Sequence, residues 1–227
     1  MRTLCIPRTV FYEIVRSVCD GPTGCETGVT LFGWSLAESS HASHVVLAIA
    51  GPGRRATYEP AHYSGDESHA NEIFDSLRSA LPGIRWLGEL HVHPRGMTWL
   101  SQGDLRTVRH ILTGTDQTLH PDEFIAGVMQ RRNGTVEIYP FHFTRECLKG
   151  SAMELRIVNS DAPEVKQARR NAIEQREEQD DRRSFRTESQ RGRAALREAR
   201  GLRGLWQWWR RHRPYGRALG HRQIHPS

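Results

Sequence analysis

Helix-like and strand-like apolar patterns alternate along the first two thirds of the chain. A helix with one buried face places apolar side chains three and four residues apart, whereas a buried strand is a short apolar run bounded by turn residues. Asn133-Gly134 between the last two such runs is a strong hairpin signal. The helical stripes begin after Pro7, span 68–81 and follow Ser101, and the strand-like runs are 27–36, 43–50, 84–93, 124–130 and 135–143.

This order of elements predicts an α/β fold in which helices flank a mixed sheet. We expect it to form one domain over residues 1–149. From about residue 161 to 204 the composition shifts to Arg, Glu, Gln and Ala, which predicts a long exposed helix with a break near Ser184. Residues 150–227 are therefore expected to form an Arg-rich, mainly helical C-terminal extension.

Charge separates the two regions. Residues 1–149 hold 14 basic and 16 acidic residues, a net charge of −2, whereas residues 150–227 hold 18 and 10, a net charge of +8. The tail also carries a tryptophan cluster at 206–209, followed by Arg210 and Arg211. It could bind an acidic protein, nucleic acid or an anionic membrane surface. Nucleic acid and membrane are not favoured over a solvated helix that folds back on the domain.

The chain contains no export or membrane signal that we recognise. No run of about 18 apolar residues is present, which is the length that a transmembrane helix needs. The N-terminus lacks a basic segment followed by an apolar one, so a signal peptide is not expected. The cysteines show no CxxC pairing and are expected to be reduced thiols of a cytoplasmic protein. They are Cys5, Cys19, Cys25 and Cys147.

The chemistry is concentrated in the segment from His91 to Asp104. His91 and His93 end a predicted strand, and residues two apart on a strand point to the same face. Asp104 follows in the first turn of the next predicted helix. Two histidines and one carboxylate can hold a zinc ion with one position left open, as a hydrolase requires.

Each half of this pattern has an ordinary alternative explanation. An HxH pair by itself is a weak indication of a metal site. Ser101 with an acidic residue three positions later is also the signature of a helix N-cap, which stabilises a helix by roughly 1 kcal/mol. The two halves together are more specific than either alone, and capping would itself fix the backbone that aims Asp104.

The combined pattern resembles the JAMM signature, also called JAB or MPN+, of zinc metalloproteases. His91-x-His93-Pro94, Ser101 and Asp104 carry the resemblance, and the segment Glu26-Thr27-Gly28-Val29 resembles the upstream glutamate segment of that family. The resemblance covers roughly residues 5–145 and implies a JAB/MPN-like domain. Within the family, the sequence resembles the compact prokaryotic branch.

The resemblance implies a role for each matching residue. His91, His93 and Asp104 would bind one Zn²⁺ ion per chain. Glu26 would be the general base and then pass a proton to the leaving amine, and Ser101 would donate a hydrogen bond to the developing oxyanion. Glu89 is a rival base, because it shares the strand face of His91.

The sequence departs from the family pattern at three places. Val92 replaces the usual small or hydroxylated residue between the histidines, and Val29 replaces a glycine. The loop before Ser101 contains the bulky residues Met97 and Trp99. No departure removes a ligand or the base, so we expect them to affect substrate preference only.

Enzymes of this family mostly cleave after the C-terminus of ubiquitin or its relatives. The resemblance therefore implies a deubiquitinase-like isopeptidase whose partner is a ubiquitin-like protein or its conjugate. Bil-type antiphage defence operons, which also encode activating and conjugating enzymes, are the preferred context. Two insertions, near 52–72 and 113–124, would contact the modifier. Among the candidate contacts are Arg54, Tyr63 and Trp99, although such residues are often ordinary surface.

Other functions remain open. The same scaffold could serve a zinc amidase that acts on a small molecule or a sulfur-carrier protein. A nucleic-acid-associated relative is a further alternative, although no helix-hairpin-helix region is present in the sequence. A non-catalytic scaffold is the last, but such relatives lack the ligands that this chain keeps.

Overall fold

The computed structural model describes residues 2–36, 44–60, 62–93, 96–114 and 121–183, with side chains to residue 175. Within these ranges the chain forms four helices: α1 (Arg8–Cys19), α2 (Glu67–Ala80), α3 (Gln102–Thr113) and α4 (Pro163–Arg183). The strands that precede α3 are β1 (Thr3–Pro7), β2 (Gly28–Ser35), β3 (His44–Ala50), β4 (Thr57–Glu59), β5 (His62–Ser64) and β6 (Arg85–Val92). The later strands are β7 (Glu123–Arg132), β8 (Thr135–Thr144), β9 (Ser151–Ala152) and β10 (Glu154–Val158).

Eight strands form one mixed sheet in the order β10-β1-β3-β2-β6-β7-β8-β9. The pairs β1–β10, β1–β3 and β6–β7 are parallel, and the other neighbours are antiparallel. The predicted α/β fold with a mixed sheet flanked by helices is confirmed for the described residues. None of the described helices combines the length and apolar content that crossing a membrane requires.

The two faces of the sheet carry separate cores. Alternate strand residues point to opposite faces, so Leu4 and Ile6 lie in one cluster with Ile14 and Val18 of α1. The other face packs against α2 and α4 in a second cluster that contains Cys5. A third cluster lies beneath α3. The sheet is thus buried on both faces.

The edge strands of the sheet are neighbours in sequence. Only Met153 separates β9 from β10, which lie at opposite edges. The Met153 amide donates to the Pro140 carbonyl at 2.9 Å, and the Glu154 amide donates to the Arg2 carbonyl at 3.0 Å. The sheet therefore curls until its two edges almost meet, and the side chain of Met153 joins the core around α1.

The domain extends past the expected boundary at residue 149. β10 pairs with β1 over five residues, from Thr3↔Glu154 to Pro7↔Val158. On α4, Val165, Ala168 and Ala172 are fully buried in the second core cluster. The helix predicted from residue 161 is thus present from Pro163, but one face of its first part is buried rather than exposed. The predicted break near Ser184 and the tryptophan cluster at 206–209 lie outside the described residues.

Candidate metal centre

His91 and His93 lie where β6 ends and the loop toward α3 begins. Both side chains are buried, with 7% and 6% of their surface exposed. Their imidazoles point the same way, as the strand alternation predicts. The two Nε2 atoms are 2.7 Å apart, so at least one of these nitrogens must present a lone pair rather than a proton.

Asp104 reaches the same point from the first turn of α3. Its Oδ2 atom lies 3.4 Å from His91 Nε2 and 3.3 Å from His93 Nε2. Ser101 caps the helix, because its hydroxyl accepts from the Asp104 amide at 3.2 Å while its own amide donates to Asp104 Oδ2 at 2.8 Å. This reciprocal capping box fixes the carboxylate relative to the end of β6.

The three converging atoms are close enough together for one metal ion to contact them all. A circle through the two Nε2 atoms and Oδ2 has a radius of about 1.8 Å, which is shorter than the 2.0–2.2 Å that zinc keeps to nitrogen and carboxylate oxygen. One metal ion could therefore contact all three atoms. The three predicted ligands are thus brought together as a buried group that could bind a metal ion.

Strand register places Glu26 beside this group. Gly28 pairs with His91, and the Val92 amide donates to the Thr27 carbonyl at 2.7 Å, which continues the antiparallel ladder. Glu26 therefore lies opposite His93, and residues opposite each other on antiparallel strands share a face. Its side chain is 7% exposed. A buried carboxylate thus lies on the same face of the sheet as His93.

Ser101 contacts Asp104 through its side chain as well as its backbone. Its hydroxyl lies 2.7 Å from Asp104 Oδ2 and donates to it. The structure therefore places the hydroxyl at the carboxylate of the candidate ligand Asp104, which it orients. The oxyanion contact implied by the family resemblance stays a prediction.

The loop between His93 and α3 is tied to β7. The buried Gln130 side chain donates to the Gly96 carbonyl at 2.5 Å, and Gly96 has a φ of +68°, which glycine adopts without strain. Trp99 follows in the same loop with 61% of its surface exposed. Our sequence analysis missed Gln130, because no spacing links a residue of β7 to a loop more than thirty positions earlier.

The β4–β5 hairpin packs against the start of β2. The Glu26 amide donates to the Glu59 carbonyl at 3.0 Å, and the Tyr63 hydroxyl donates to the Gly28 carbonyl at 3.2 Å. Tyr63 is only 5% exposed, so it supports the Glu26 segment and offers little surface to another molecule. Arg54 is exposed on the same hairpin region.

A second buried cluster lies at the other end of the sheet, and our sequence analysis missed it. His44, Glu123 and His142 form another group that could hold a metal ion. Burial lowers the pKa of His44 to about 4. Burial by itself would raise the pKa of Glu123, but hydrogen bonds from His142 and Ser35 lower it to about 2. No sequence motif contains this cluster, because His44 of β3 lies far along the chain from Glu123 and His142 of the paired strands β7 and β8.

Comparison with known proteins identifies no family for this chain. No family model matches it. No curated protein matches it. Among solved structures, it is similar to the solution structure of protein DSY2949 from Desulfitobacterium hafniense, with a TM-score of 0.49 and 14% identity over 69% of this chain and 93% of that chain.

Proposed function

We propose that this protein is a zinc-dependent isopeptidase or peptidase of the JAMM type that cleaves after the C-terminus of a ubiquitin-like protein. The observation that carries the proposal is the convergence of His91, His93 and Asp104 within 3.4 Å of one another. Glu26 lies across the strand pair from His93, on the same face. This combination is a three-ligand hydrolytic metal centre with an adjacent base.

Zinc is the cation that best suits these ligands. Two imidazole nitrogens and one carboxylate oxygen form a borderline donor set, and three protein ligands leave a fourth position for water or substrate. When bound, zinc would acidify water and polarise the scissile carbonyl. The capping box at Ser101 contributes by holding Asp104 in one orientation, so the ligands are arranged before the ion binds.

Glu26 supplies the proton transfers. In this proposal its carboxylate takes a proton from the attacking water and then delivers it to the departing amine nitrogen. Cleavage of an amide needs both transfers, since water is a weak nucleophile and an amide anion is a poor leaving group. The buried position of Glu26 opposite His93 keeps the carboxylate near the reacting atoms through both steps.

Two segments beside the site could contact the extended C-terminal tail of a modifier protein. The exposed indole of Trp99 lies in the loop that follows His93, and the β4–β5 hairpin with nearby Arg54 lies beside Glu26. Large aromatic and arginine side chains are common anchors at protein interfaces. We therefore infer that a modifier tail passes between these two segments. Activating and conjugating enzymes of the same operon are the further partners that this function implies.

The proposal is tested first by metal content and then by cleavage. Purified protein should contain about one zinc ion at the centre formed by the three ligands. His93→Ala should lose that ion. Fusions of ubiquitin-like proteins to a reporter should be cut after the modifier by the wild type, and neither by His93→Ala nor in the presence of a chelator.

The metal-content test and the cleavage test can fail independently, and each failure has its own meaning. If His93→Ala retains the full zinc content of the wild type, then the ligand assignment is wrong. If zinc is bound at the ligands but no modifier fusion is cut, then the metal centre stands and the substrate class is wrong. An amidase that acts on small molecules would then be the hypothesis to test.

A further inference from the structure

The His44–Glu123–His142 cluster lies far from the proposed catalytic centre. His44 begins β3, Glu123 begins β7, and His142 lies near the end of β8. Along β7, Glu123 precedes Val128, the partner of His91, by five residues, which is about 17 Å of extended strand. Any ion bound here would therefore be separate from one bound at His91.

The three side chains converge although they are distant in sequence. His142 Nε2 lies 3.0 Å from Glu123 Oε2, and His44 Nδ1 lies 3.7 Å from Glu123 Oε1. The two imidazole rings have centroids 5.0 Å apart, and one ligand atom from each residue lies within 4.8 Å of the others. Small movements of side chains would bring all three to the distances that a first-row metal ion requires.

Burial makes this arrangement costly without a further partner. His44 and His142 are 1% and 3% exposed. His44 Nδ1 contacts the Ser35 hydroxyl at 3.0 Å, whereas its Nε2 atom is buried without a hydrogen-bond partner in the structure. A buried polar atom without a partner lowers the stability of the folded state. The His44 imidazole is therefore buried with only one of its two nitrogens hydrogen-bonded.

Arg2 shares the carboxylate with the histidines. Its Nη1 atom lies 3.5 Å from Glu123 Oε2, and its side chain is 44% exposed. A cation at Glu123 would compete with this guanidinium, which is free to turn toward solvent because it is exposed. The Glu123 side chain is itself 30% exposed, so the cluster has a path by which an ion could enter.

We propose that His44, Glu123 and His142 form a second metal site, which binds a divalent first-row ion of the zinc class and ties β3 to β7 and β8. Two imidazoles and one carboxylate are a suitable donor set for such an ion. Because β2 and β6 separate β3 from the paired strands β7 and β8 in the sheet order, the ion acts as a structural clamp. This proposal is independent of the proposed catalytic function.

The test uses the full-length chain, freed of metal and titrated with zinc and with cobalt(II), whose visible absorption reports its ligands. His91→Ala combined with Asp104→Ala removes the first centre and serves as the background. The wild type should bind two ions and this background one. Adding His142→Gln to the background should abolish the remaining binding and the cobalt spectrum.

Two further variants separate a metal site from a merely structural cluster. Arg2→Ala in the background should tighten binding several-fold, because it removes a positive charge that competes for Glu123. His110→Ala, which changes a histidine of α3 outside both clusters, should leave binding unchanged. If His142→Gln fails to fold, the Arg2→Ala measurement still tests whether the ion binds at Glu123.

Three results would overturn the proposal. The first is a background variant that is folded by circular dichroism and binds neither ion. The second is binding that persists after both His142→Gln and His44→Gln, which would place the ligands elsewhere. The third is an affinity that Arg2→Ala leaves unchanged. The difference in zinc content between the wild type and His93→Ala reports on the first centre alone, so failure of one site is distinguishable from failure of the other.

Discussion

Individual side chains at the end of β6 have distinct roles. His91, His93 and Asp104 supply lone pairs, Ser101 orients the aspartate, and Glu26 approaches from the neighbouring strand. Each of these side chains is buried or half-buried, so its contacts are mainly with other groups of the site rather than with water. Substitutions that preserve shape should therefore separate metal binding from proton transfer.

Glu26→Gln should keep the zinc ion and lose turnover. The amide is nearly isosteric with the carboxylate but cannot accept a proton at neutral pH, so we expect a rate lower by about 10²–10⁴-fold. The measurement is cleavage of a modifier fusion beside zinc content. Glu89→Gln is the matched control, since Glu89 faces the same side of β6. A Glu26→Gln variant with wild-type turnover would exclude Glu26 as the base, whereas a Glu89→Gln variant with none would keep Glu89 as the rival base.

The start of α3 joins a helix cap to the candidate metal ligand Asp104. The Ser101 hydroxyl accepts from the Asp104 amide and donates to its carboxylate. One side chain thus caps the helix and fixes a ligand. Loss of this hydroxyl should weaken both properties together.

Ser101→Ala should lower the free energy of unfolding of metal-free protein by about 1 kcal/mol, because the cap is lost. Zinc affinity should fall by about 10–100-fold, because Asp104 loses the contact that orients it. Denaturant unfolding in chelator and a competition titration measure the two effects. Ser101→Thr keeps the hydroxyl and should behave like the wild type. Equal zinc affinity in Ser101→Ala would show that the cap does not hold the ligand.

The first residue of β3 makes the metal-free protein sensitive to pH. Burial lowers the pKa of His44 to about 4 from an ordinary value of 6.5, so the unfolded chain takes up this proton at a higher pH than the folded one. The contribution to stability is complete above pH 6.5 and decreases as the pH falls toward 4. At most about 3 kcal/mol of unfolding free energy can be lost in this way.

We therefore expect the midpoint of denaturant unfolding in chelator to fall between pH 7 and pH 5. His44→Gln removes the titrating group and should flatten this dependence. Glu123, with a pKa of about 2, titrates in the folded state only below this window. An equal slope for wild type and His44→Gln would assign the pH dependence to other groups.

The curled sheet depends on residues that follow the expected domain boundary. β10 covers the edge of β1, and the buried face of α4 covers the outer core. Without them, a row of backbone hydrogen-bonding groups and a set of apolar side chains would face water. The N-terminal and C-terminal parts of the described domain therefore stabilise each other.

A chain that ends at residue 149 should lose cooperative unfolding, whereas one that ends at residue 183 should keep it. The shorter chain loses the β1–β10 pairing and the burial of Val165, Ala168 and Ala172. The shorter chain should lose several kcal/mol of unfolding free energy. This is a large share of the roughly 5–15 kcal/mol by which domains are stable. Thermal melts followed by circular dichroism compare the two. Matching cooperative transitions would show that β10 and α4 are dispensable.

Local patterns in the sequence predicted the elements that carry their own signal. The helix after Ser101 and the β7–β8 hairpin are present, and Asn133 and Gly134 have φ values of 46° and 78°, as the tight turn requires. The convergence of His91, His93 and Asp104 was also predictable, because strand alternation and one helix cap fix their relative positions within fourteen consecutive residues.

The pairing of β1 with β10 and the His44–Glu123–His142 cluster were decided only by the tertiary structure. β10 is a short edge strand with the polar residues Glu154 and Arg156, so its sequence carries too weak a strand signal, and its partner lies about 150 positions earlier. The cluster joins β3, β7 and β8, which have no fixed spacing along the chain. Curling of the sheet brings these residues together, and curling results from packing between distant segments, which no local pattern records.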